Sequence, residues 1–248
     1  MIEIQGLRKA FAGGEVLKGV DLNIKRGETV VVIGRSGCGK SVLLKHIIGL
    51  MKPDSGRILV DGVDITAIDG KDLYQFRKKF GMLFQGSALF DSLSVWENVG
   101  LGLSEHTDLG EEEIRVRVSE KLALVGLADI EDARPSDLSG GMKKRVGLAR
   151  AIAMDPEIVL YDEPTTGLDP IMADVINQLI RTLQKTLKIT SIAVTHDMKS
   201  AYHIGDRLAM LHDGRIVFEG TPEEIMRTRD GTIRQFIEGR AEGPISVH

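Results

Sequence analysis

A glycine-rich run in the first quarter of the chain carries residue types suited to phosphate binding. Residues 34–41 read Gly-Arg-Ser-Gly-Cys-Gly-Lys-Ser, which matches the phosphate-loop pattern G-x-x-x-x-G-K-[ST]. Glycines let successive backbone N–H groups turn toward phosphate oxygens, and the N-terminus of a following helix adds positive potential. We expect Lys40 to contact the β- and γ-phosphates and Ser41 to offer a hydroxyl ligand to Mg²⁺. The predicted nucleotide contacts in this segment are Gly34, Arg35, Ser36, Gly37, Cys38, Gly39, Lys40, Ser41 and Val42.

Cys38 lies inside this loop and is the only cysteine of the chain. A catalytic thiol needs a basic partner, and no histidine–aspartate constellation accompanies this one. We therefore interpret Cys38 as a small residue that contributes its backbone. A single cysteine also excludes an intrachain disulfide and a cysteine-based zinc cluster, and it is typical of a reducing cytosol.

A second candidate for chemistry is an apolar run, residues 158–161, that ends in two carboxylates, Asp162 and Glu163. Strand alternation predicts that the two side chains point in different directions. We expect Asp162 to hold Mg²⁺ through its water shell and Glu163 to polarise the water that attacks the γ-phosphate. The alternative interpretation is a solvated strand end that happens to be acidic.

A third candidate is the start of a predicted cation-rich helix. Ser139 is predicted as its N-cap, and the N–H groups of Gly140 and Gly141 begin it, which creates a second anion-binding helix terminus. Since a bound triphosphate already has a phosphate loop, a second phosphate contact makes sense if it serves another subunit's nucleotide. Taken alone, the pattern is equally typical of an ordinary capped helix.

The elements that position these residues follow from hydrophobic patterning. Residues 29–33 are uniformly apolar and β-branched after Thr29, which predicts a central buried strand, and residues 39–50 predict the helix after the phosphate loop. Alternating residues near the N-terminus predict antiparallel strands, and residues 86–150 have a helical pattern. This order predicts an α/β fold, with a P-loop NTPase core, an antiparallel β subdomain and an inserted α-helical subdomain.

The composition is that of a folded globular protein with a mild negative charge. The chain has 248 residues, 42% hydrophobic and 27% charged, which excludes disorder for the chain as a whole. A net charge of −4 excludes a general attraction to nucleic acid, so we expect no nucleic-acid partner. No apolar run approaches the ~18 residues needed to span a bilayer, and no signal peptide is predicted. We expect that a role at a membrane would require another chain.

In this order and spacing, the motifs resemble those of the ABC-type ATPase family over nearly the whole chain. Gln85 resembles the glutamine of the family's Q-loop, Asp169 its D-loop aspartate and His196 its switch histidine. The resemblance places Phe11 and Val16 at the nucleotide, with Phe11 stacking on adenine. It also identifies Ser139, Gly140 and Gly141 as the family's signature motif.

The resemblance implies a mechanism in which two copies pack head to tail around two ATP molecules, with a RecA-like core in each. Each nucleotide would lie between the phosphate loop of one copy and the signature motif of the other, and Asp169 would link the two sites. The implied catalytic residues are Glu163, His196, Gln85 and Lys40. The implied Mg²⁺ ligands are Ser41, Gln85 and Asp162, so the expected cofactors are ATP and Mg²⁺.

One departure from the family pattern is Met142, where most members have glutamine. This variant, with the basic run that follows it, resembles the ATPases of Mla-type phospholipid transporters. That resemblance implies permease partners, a lipid-binding subunit of MCE type that is periplasmic or membrane-anchored, and a small cytoplasmic subunit of STAS type. It also implies a location on the cytoplasmic face of the inner membrane of a Gram-negative bacterium.

The predicted organisation is one ATPase domain over residues 1–238, with the helical subdomain at about 86–150, followed by a tail over 239–248. The tail is polar and contains Gly and Pro, so disorder is expected, although its likeness to Mla-type tails suggests a dimer contact. A membrane subunit also needs a docking surface. We predict that part of an apolar cluster after Gln85 supplies it: Leu89, Phe90, Leu93, Val95 and Trp96.

Three other interpretations compete with this one. An ATPase of another importer, for amino acids or metals, would use the same hydrolytic residues and differ in its partners. A soluble ABC protein of translation or DNA repair usually has two ATPase domains or long coiled coils, and this chain has neither. A P-loop kinase or GTPase is disfavoured by the signature motif and by His196.

Overall fold

The computed structural model describes residues 1–246, which form two compact units. The first unit comprises Met1–Tyr74 and the described residues from Ile192 onward, and the second comprises Gln75–Ser191. Within residues 1–246, no helix combines the length and apolar character needed to cross a bilayer.

Ten strands and nine α-helices are found in the described residues. The strands are β1 (Ile2–Phe11), β2 (Gly14–Ile24), β3 (Thr29–Ile33), β4 (Ser55–Val60), β5 (Val63–Asp64), β6 (Phe80–Leu83), β7 (Ile158–Asp162), β8 (Thr190–Thr195), β9 (Arg207–His212) and β10 (Arg215–Gly220). The helices are α1 (Lys40–Ile47), α2 (Gly70–Arg77), α3 (Val95–His106), α4 (Glu111–Leu124), α5 (Gly140–Ile152), α6 (Pro170–Leu187), α7 (Met198–Ile204), α8 (Pro222–Arg227) and α9 (Gly231–Glu238).

The first unit contains an antiparallel sheet with strand order β2-β1-β4-β5. Buried Ile2 and Ile4 alternate with more exposed residues along β1, because successive side chains of a strand point to opposite faces. Ile4 pairs with Leu22 of β2 and with Ile58 of β4, so the buried face of this sheet is aliphatic. The predicted N-terminal antiparallel strands are thus confirmed.

The first unit also holds the strand that leads to the phosphate loop. Strand β3 lies between β8 and β9, and it pairs in parallel with β9. All five residues of β3 are buried, which agrees with the prediction of a central strand from its apolar, β-branched run. A hairpin joins β9 to β10 through Asp213 and Gly214, both with positive φ, as the tight turn between twisted strands requires.

The second unit combines two parallel strands, β6 and β7, with the helices α3, α4 and α5. Helix α5 packs closely on β6, since a Cβ atom at Gly81 would overlap the carbonyl of Ala151. Ser94 and Glu97 have the sequence spacing of a capping box, and they form one at the start of α3. The helical pattern of residues 86–150 therefore corresponds to three helices, as predicted.

Two helices differ from what the sequence pattern predicted. Helix α1 covers Lys40–Ile47 rather than 39–50, because Gly39 (φ 106°) and Gly49 (φ 69°) adopt left-handed backbone conformations at its ends. In α6 the apolar residues between 171 and 187 recur at helical spacing, which predicts one buried stripe. Only part of this stripe is buried: Ile176 and Ile180 are in the core, whereas Ile171 is 78% exposed.

A buried histidine in α1 is expected to make the stability of the protein depend on pH. Burial lowers the pKa of His46 from its ordinary value of 6.5, partly offset by the Nδ1–H hydrogen bond to the Val42 carbonyl at 2.7 Å. Below about pH 6.5 the unfolded chain binds more protons than the folded one, so the free energy of unfolding decreases as pH falls. Above that pH the contribution of neutral His46 is fully present.

We expect urea titrations between about pH 7.5 and pH 5 to show this loss, at most about 1.4 kcal/mol per pH unit. His46→Gln should flatten the dependence, whereas the matched variant His203→Gln, at an exposed position, should retain it. An unchanged slope in His46→Gln would assign the effect to other groups.

Candidate nucleotide site

The phosphate loop lies between β3 and α1 in the first unit, in the strand–loop–helix context that the motif requires. Its three glycines all have φ between +79° and +156°. Gly34 is also sterically restricted, because a Cβ atom there would overlap the carbonyl of Leu211 and lie 2.8 Å from the Sγ of Cys38. The glycines therefore allow the backbone of the loop to adopt positive φ values, as the sequence suggested.

Lys40 is held inside this loop. Its Nζ donates to the carbonyl of Gly34 at 2.8 Å and to that of Arg35 at 3.1 Å, and the residue is only 5% exposed. The loop thus positions a buried positive charge at the start of α1. Ser41 and Val42 follow in the first turn of that helix and are half-buried.

The two residues predicted to contact the nucleotide from outside the phosphate loop, Phe11 and Val16, lie on neighbouring strands of the first unit. Phe11 ends β1 and is 45% exposed, with the ammonium of Lys9 5.8 Å from its ring centroid. Val16 in β2 packs against the phosphate loop, since its Cγ1 lies 2.9 Å from the Cβ position of Gly39. An exposed aromatic face can stack on adenine, and this role of Phe11 stays a prediction.

A cleft of ≈ 660 Å³ opens beside the phosphate loop in the first unit. It is lined by Arg35, Ser36, Gly37, Cys38, His212, Asp213, Pro244, Ile245 and Ser246. Arg35 Nη1 donates to the carbonyl of Ser246 at 2.9 Å, so the C-terminal tail reaches the loop. Sequence reasoning missed this contact, because nothing in a polar Gly/Pro segment indicates where it docks.

The tail is ordered through Ser246, and the expectation of disorder is wrong for these residues. The buried amide of Gln235 in α9 holds Ile245 from both sides: Oε1 accepts from its N–H at 2.6 Å and Nε2 donates to its carbonyl at 3.1 Å. Ile245 is itself buried, and the removal of its apolar side chain from water helps to anchor the segment. The last two residues of the predicted tail, 247 and 248, lie outside the described residues.

The two carboxylates of the acidic strand are both buried in the second unit, at 7% exposure each. Strand β7 ends at Asp162, and Glu163 has φ 48°, so its backbone is left-handed rather than extended. Strand alternation was predicted to separate the two side chains. That reason is wrong, because Glu163 lies outside the strand. Thr166 Oγ1 donates to Glu163 Oε2 at 3.2 Å and fixes that carboxylate.

Gln85 is exposed in the loop after β6, also in the second unit. The loop then passes through Ser87 (φ 62°) and Ala88 (φ 47°), two residues without the freedom of glycine. Arg150 of α5 donates to both of their carbonyls, at 2.5 and 2.7 Å. Buried Lys144, from the same helix, donates to the carbonyl of Gln85.

Neither Lys144 nor Arg150 was identified from the sequence. A signal was available for Lys144, because it falls on the buried face of α5, four residues before Leu148 and three after Gly141. A lysine on an apolar helical face indicates a buried cation with a specific partner.

The predicted helix start lies at the N-terminus of α5, and its role as a second anion site stays a prediction. Ser139 is the N-cap, and its Oγ accepts from the Met142 N–H at 3.3 Å. Gly141 is buried against Met172 of α6, and a Cβ atom there would require the Met172 side chain to shift. Asp169 is the N-cap of α6 and accepts from two of its first N–H groups.

The predicted site residues divide between the two units. The phosphate loop, Phe11, Val16 and His196, which is exposed after β8, belong to the first; Gln85, the signature motif, Asp162, Glu163 and Asp169 belong to the second. Within residues 1–246, no cluster of three His, Cys, Asp or Glu side chains forms a ready metal site. The ligand set Ser41, Gln85 and Asp162 therefore stays a prediction.

A phosphate loop on a β3–α1 junction and a buried acidic strand end define a P-loop nucleotide-binding protein. The family model of the ABC transporter matches residues 17–166, which is more than half of the chain. The chain belongs to the ABC transporter ATPase family, and it is an ATPase of that family. The resemblance identified from the sequence motifs is thereby confirmed.

Three relatives are similar over 99% of this chain. "Probable ribonucleotide transport ATP-binding protein mkl" of Mycobacterium tuberculosis is 44% identical, and the match extends over 68% of the length of that protein. "Intermembrane phospholipid transport system ATP-binding protein MlaF" of Haemophilus influenzae is 41% identical and covered over 93%. "Protein TRIGALACTOSYLDIACYLGLYCEROL 3, chloroplastic" of Arabidopsis thaliana is 42% identical and covered over 75%.

Among solved structures, the chain is similar to the ATP-binding cassette MJ0796, determined as a dimer in a post-hydrolysis state bound to ADP and Pi. The TM-score is 0.83 at 36% identity, over 90% of this chain and 99% of that chain. This similarity confirms the predicted α/β fold of the ABC ATPase type.

Proposed function

We propose that this protein is the ATP-hydrolysing subunit of a transporter that moves phospholipid between the inner and outer membranes of a Gram-negative bacterium. The observation that carries the proposal is the similarity to the phospholipid-transport protein MlaF along 99% of this chain and 93% of that one. The chloroplast relative, whose name contains a glycolipid, supports a lipid cargo in the broader sense. Met142 in the signature motif adds to this support.

In this proposal, two copies bind two ATP molecules head to tail. Lys40 and the loop N–H groups bind the phosphates, and Ser139, Gly140 and Gly141 of the other copy bind the same nucleotide. The carboxylate of Glu163 accepts a proton from the attacking water, and His196 contacts the γ-phosphate. Closure of the dimer then follows from tighter ATP binding to the closed state than to the open one.

Mg²⁺ fits the oxygen donors that this chain offers. The hydroxyl of Ser41, the amide of Gln85 and the carboxylate of Asp162 are hard oxygen ligands of the kind that Mg²⁺ prefers. When bound, the ion would neutralise charge on the β- and γ-phosphates. Buried Asp162, at 7% exposure, supplies the negative charge that this ligand set needs.

The proposed partners are a membrane permease, an MCE-type lipid-binding subunit and a small STAS-type subunit. Through the permease the protein would lie on the cytoplasmic face of the inner membrane. In this proposal, residues 1–238 form one ATPase domain, with a helical subdomain at about 86–150. No role with nucleic acid is proposed, which accords with the net charge of −4.

The cargo can be tested directly, and the name of the mycobacterial relative provides the competing outcome. The complex that copurifies with this chain would be reconstituted in proteoliposomes, and ATP-dependent movement of fluorescent phospholipid would be measured. Phospholipid transfer that requires ATP is expected. Uptake of a labelled ribonucleotide without lipid transfer would reject the phospholipid assignment and favour the cargo in that relative's name.

The apolar cluster after Gln85 is only partly available to a partner. Val95 is fully buried, and Trp96 is half-buried beneath the guanidinium of Arg115, 4.1 Å from its ring. Phe90 is 52% exposed, so its ring is available to a partner, and this availability supports the docking proposal.

We expect Phe90→Asp to reduce copurification of the permease at least about tenfold, because a charge replaces an aromatic side chain that the proposed complex would bury. The isolated protein should keep its thermal unfolding temperature. Val116→Asp, at a 56% exposed apolar position of α4, is the matched control and should copurify normally. Equal recovery of the complex with both variants would contradict the docking role.

The tail is proposed to contribute to the dimer contact. Deletion of residues 240–248 is expected to weaken dimer formation in the presence of ATP, as measured by light scattering after size-exclusion chromatography. Gln235→Ala, which removes both hydrogen bonds to Ile245 but keeps every tail residue, should weaken it less. Unchanged dimerisation and ATPase rate after the deletion would remove the tail from the interface.

A further inference from the structure

Helix α5 carries a charged residue on its buried face. Lys144 is 4% exposed, and it lies between buried Gly141 and Leu148 on the same side of the helix. Burial lowers the pKa of the Lys144 ammonium, against the opposing influence of the Asp162 and Glu163 carboxylates. Burying a charged ammonium costs free energy unless hydrogen bonds compensate for the lost water. The contacts of Lys144 therefore matter for its role.

The ammonium of Lys144 bridges two backbone carbonyls that are far apart in sequence. It donates to the carbonyl of Gln85, in the loop after β6, and to the carbonyl of Glu163, 3.3 Å away, directly after β7. Both carbonyls belong to residues with a proposed role in hydrolysis, and all three residues lie in the second unit. One cation therefore sets the separation between two loops that follow neighbouring parallel strands.

The backbone of Glu163 needs such support. Its φ of 48° is unfavourable for a residue with a Cβ atom, and it persists only where surrounding contacts hold it. Two contacts bind its carbonyl: Lys144 and the N–H of Thr166, 3.3 Å away. The position of the Glu163 carboxylate depends on this backbone conformation, because the backbone sets the direction of the Cα–Cβ bond.

We propose that Lys144 is a positioning residue for ATP hydrolysis, which fixes the backbone of Glu163 relative to that of Gln85. This inference rests on the proposed role of Glu163 as the general base. Lys144 touches neither the nucleotide nor the attacking water in this assignment, and it acts through Glu163. It also lies about one turn, roughly 6 Å, from the N-terminus of α5, so a shift of the signature motif would be transmitted to Glu163 by one helix.

The test uses Lys144→Met, which keeps the length and removes the donors, and Lys144→Gln, which keeps an amide donor. The matched control is Lys143→Met, at the half-exposed neighbouring position. Each full-length variant would be measured for single-turnover ATP hydrolysis, for the Kd of a non-hydrolysable ATP analogue and for thermal unfolding. If Lys144→Met fails to fold, Lys144→Gln provides the test.

We expect Lys144→Met to slow hydrolysis about 10- to 100-fold, since a displacement of about 1 Å at a reacting group can cost this much. Its Kd for the analogue should stay within ~2-fold, because no phosphate contact is lost. Lys144→Gln should be intermediate, and Lys143→Met should be unchanged. A normal rate in Lys144→Met, or a loss of rate matched by an equal loss of affinity, would overturn the proposal.

A double-mutant cycle with Glu163→Gln separates positioning from a general structural role. If Lys144 acts through the carboxylate of Glu163, Lys144→Met should have no further effect on the residual rate of Glu163→Gln. An additive loss would overturn the inference. If Glu163→Gln alone leaves the rate intact, the proposed role of Glu163 fails, a result distinguishable from the failure of Lys144.

Discussion

Glu163→Gln is expected to abolish steady-state ATP hydrolysis while ATP still binds. The substitution keeps the size of the side chain and the left-handed backbone, and the amide oxygen can still accept from Thr166. It removes the carboxylate that takes a proton from the attacking water, and general-base catalysis contributes about 10²–10⁴-fold. None of the loop contacts to phosphate changes, so ATP affinity should be retained or increased.

The measurement is phosphate release at saturating ATP, together with the Kd for ATP by equilibrium binding. Glu157→Gln is the matched control, because this exposed glutamate precedes the same strand and pairs with Lys79 on the surface. It should hydrolyse ATP normally. Near-normal turnover in Glu163→Gln would refute the general-base assignment, and the proposal for Lys144 would lose its basis.

Lys40→Ala is expected to weaken ATP binding about 10- to 150-fold. A hydrogen bond to a charged group contributes about 1.5–3 kcal/mol, and this range converts to that change in Kd. The ammonium is pre-positioned by the carbonyls of Gly34 and Arg35, so ATP binding requires little reordering of this side chain. The loss should therefore appear in affinity first, in contrast to Glu163→Gln.

Equilibrium titration with ATP and with ADP checks this result, since Lys40 is assigned to the β- and γ-phosphates. The affinity for ADP should fall less than that for ATP, because one of the two contacts is absent. Lys45→Ala, at an exposed position of the same helix, is the control and should bind both nucleotides normally. Equal affinity of Lys40→Ala and the wild type for ATP would exclude the phosphate contact.

Most secondary structure could be predicted, because local rules decide it. The β-branched run at residues 29–33 predicted a central strand, and Ser139 predicted the start of α5 through its side-chain cap. An Asp-Gly pair between two apolar runs indicates a tight hairpin turn, and the positive φ values of Asp213 and Gly214 agree with that turn.

The features that could not be predicted depend on contacts between distant segments. The left-handed backbone of Glu163 is unexpected for a glutamate, and it is supported by Lys144, 19 residues earlier in the chain. The docking of the tail requires the amide of Gln235 and a carbonyl contact with Arg35, 211 residues away in sequence from Ser246. Periodicity and capping describe neighbours in sequence and contain no information on such pairs.

Cys38 has a practical consequence for work with the unmodified protein. Its half-buried thiol lines the cleft beside the phosphate loop, and the chain contains no second cysteine. A maleimide dye should therefore attach to one position, with no background labelling to subtract. The attachment rate, recorded at increasing ATP concentrations, would report how much of the protein holds nucleotide without any engineered probe.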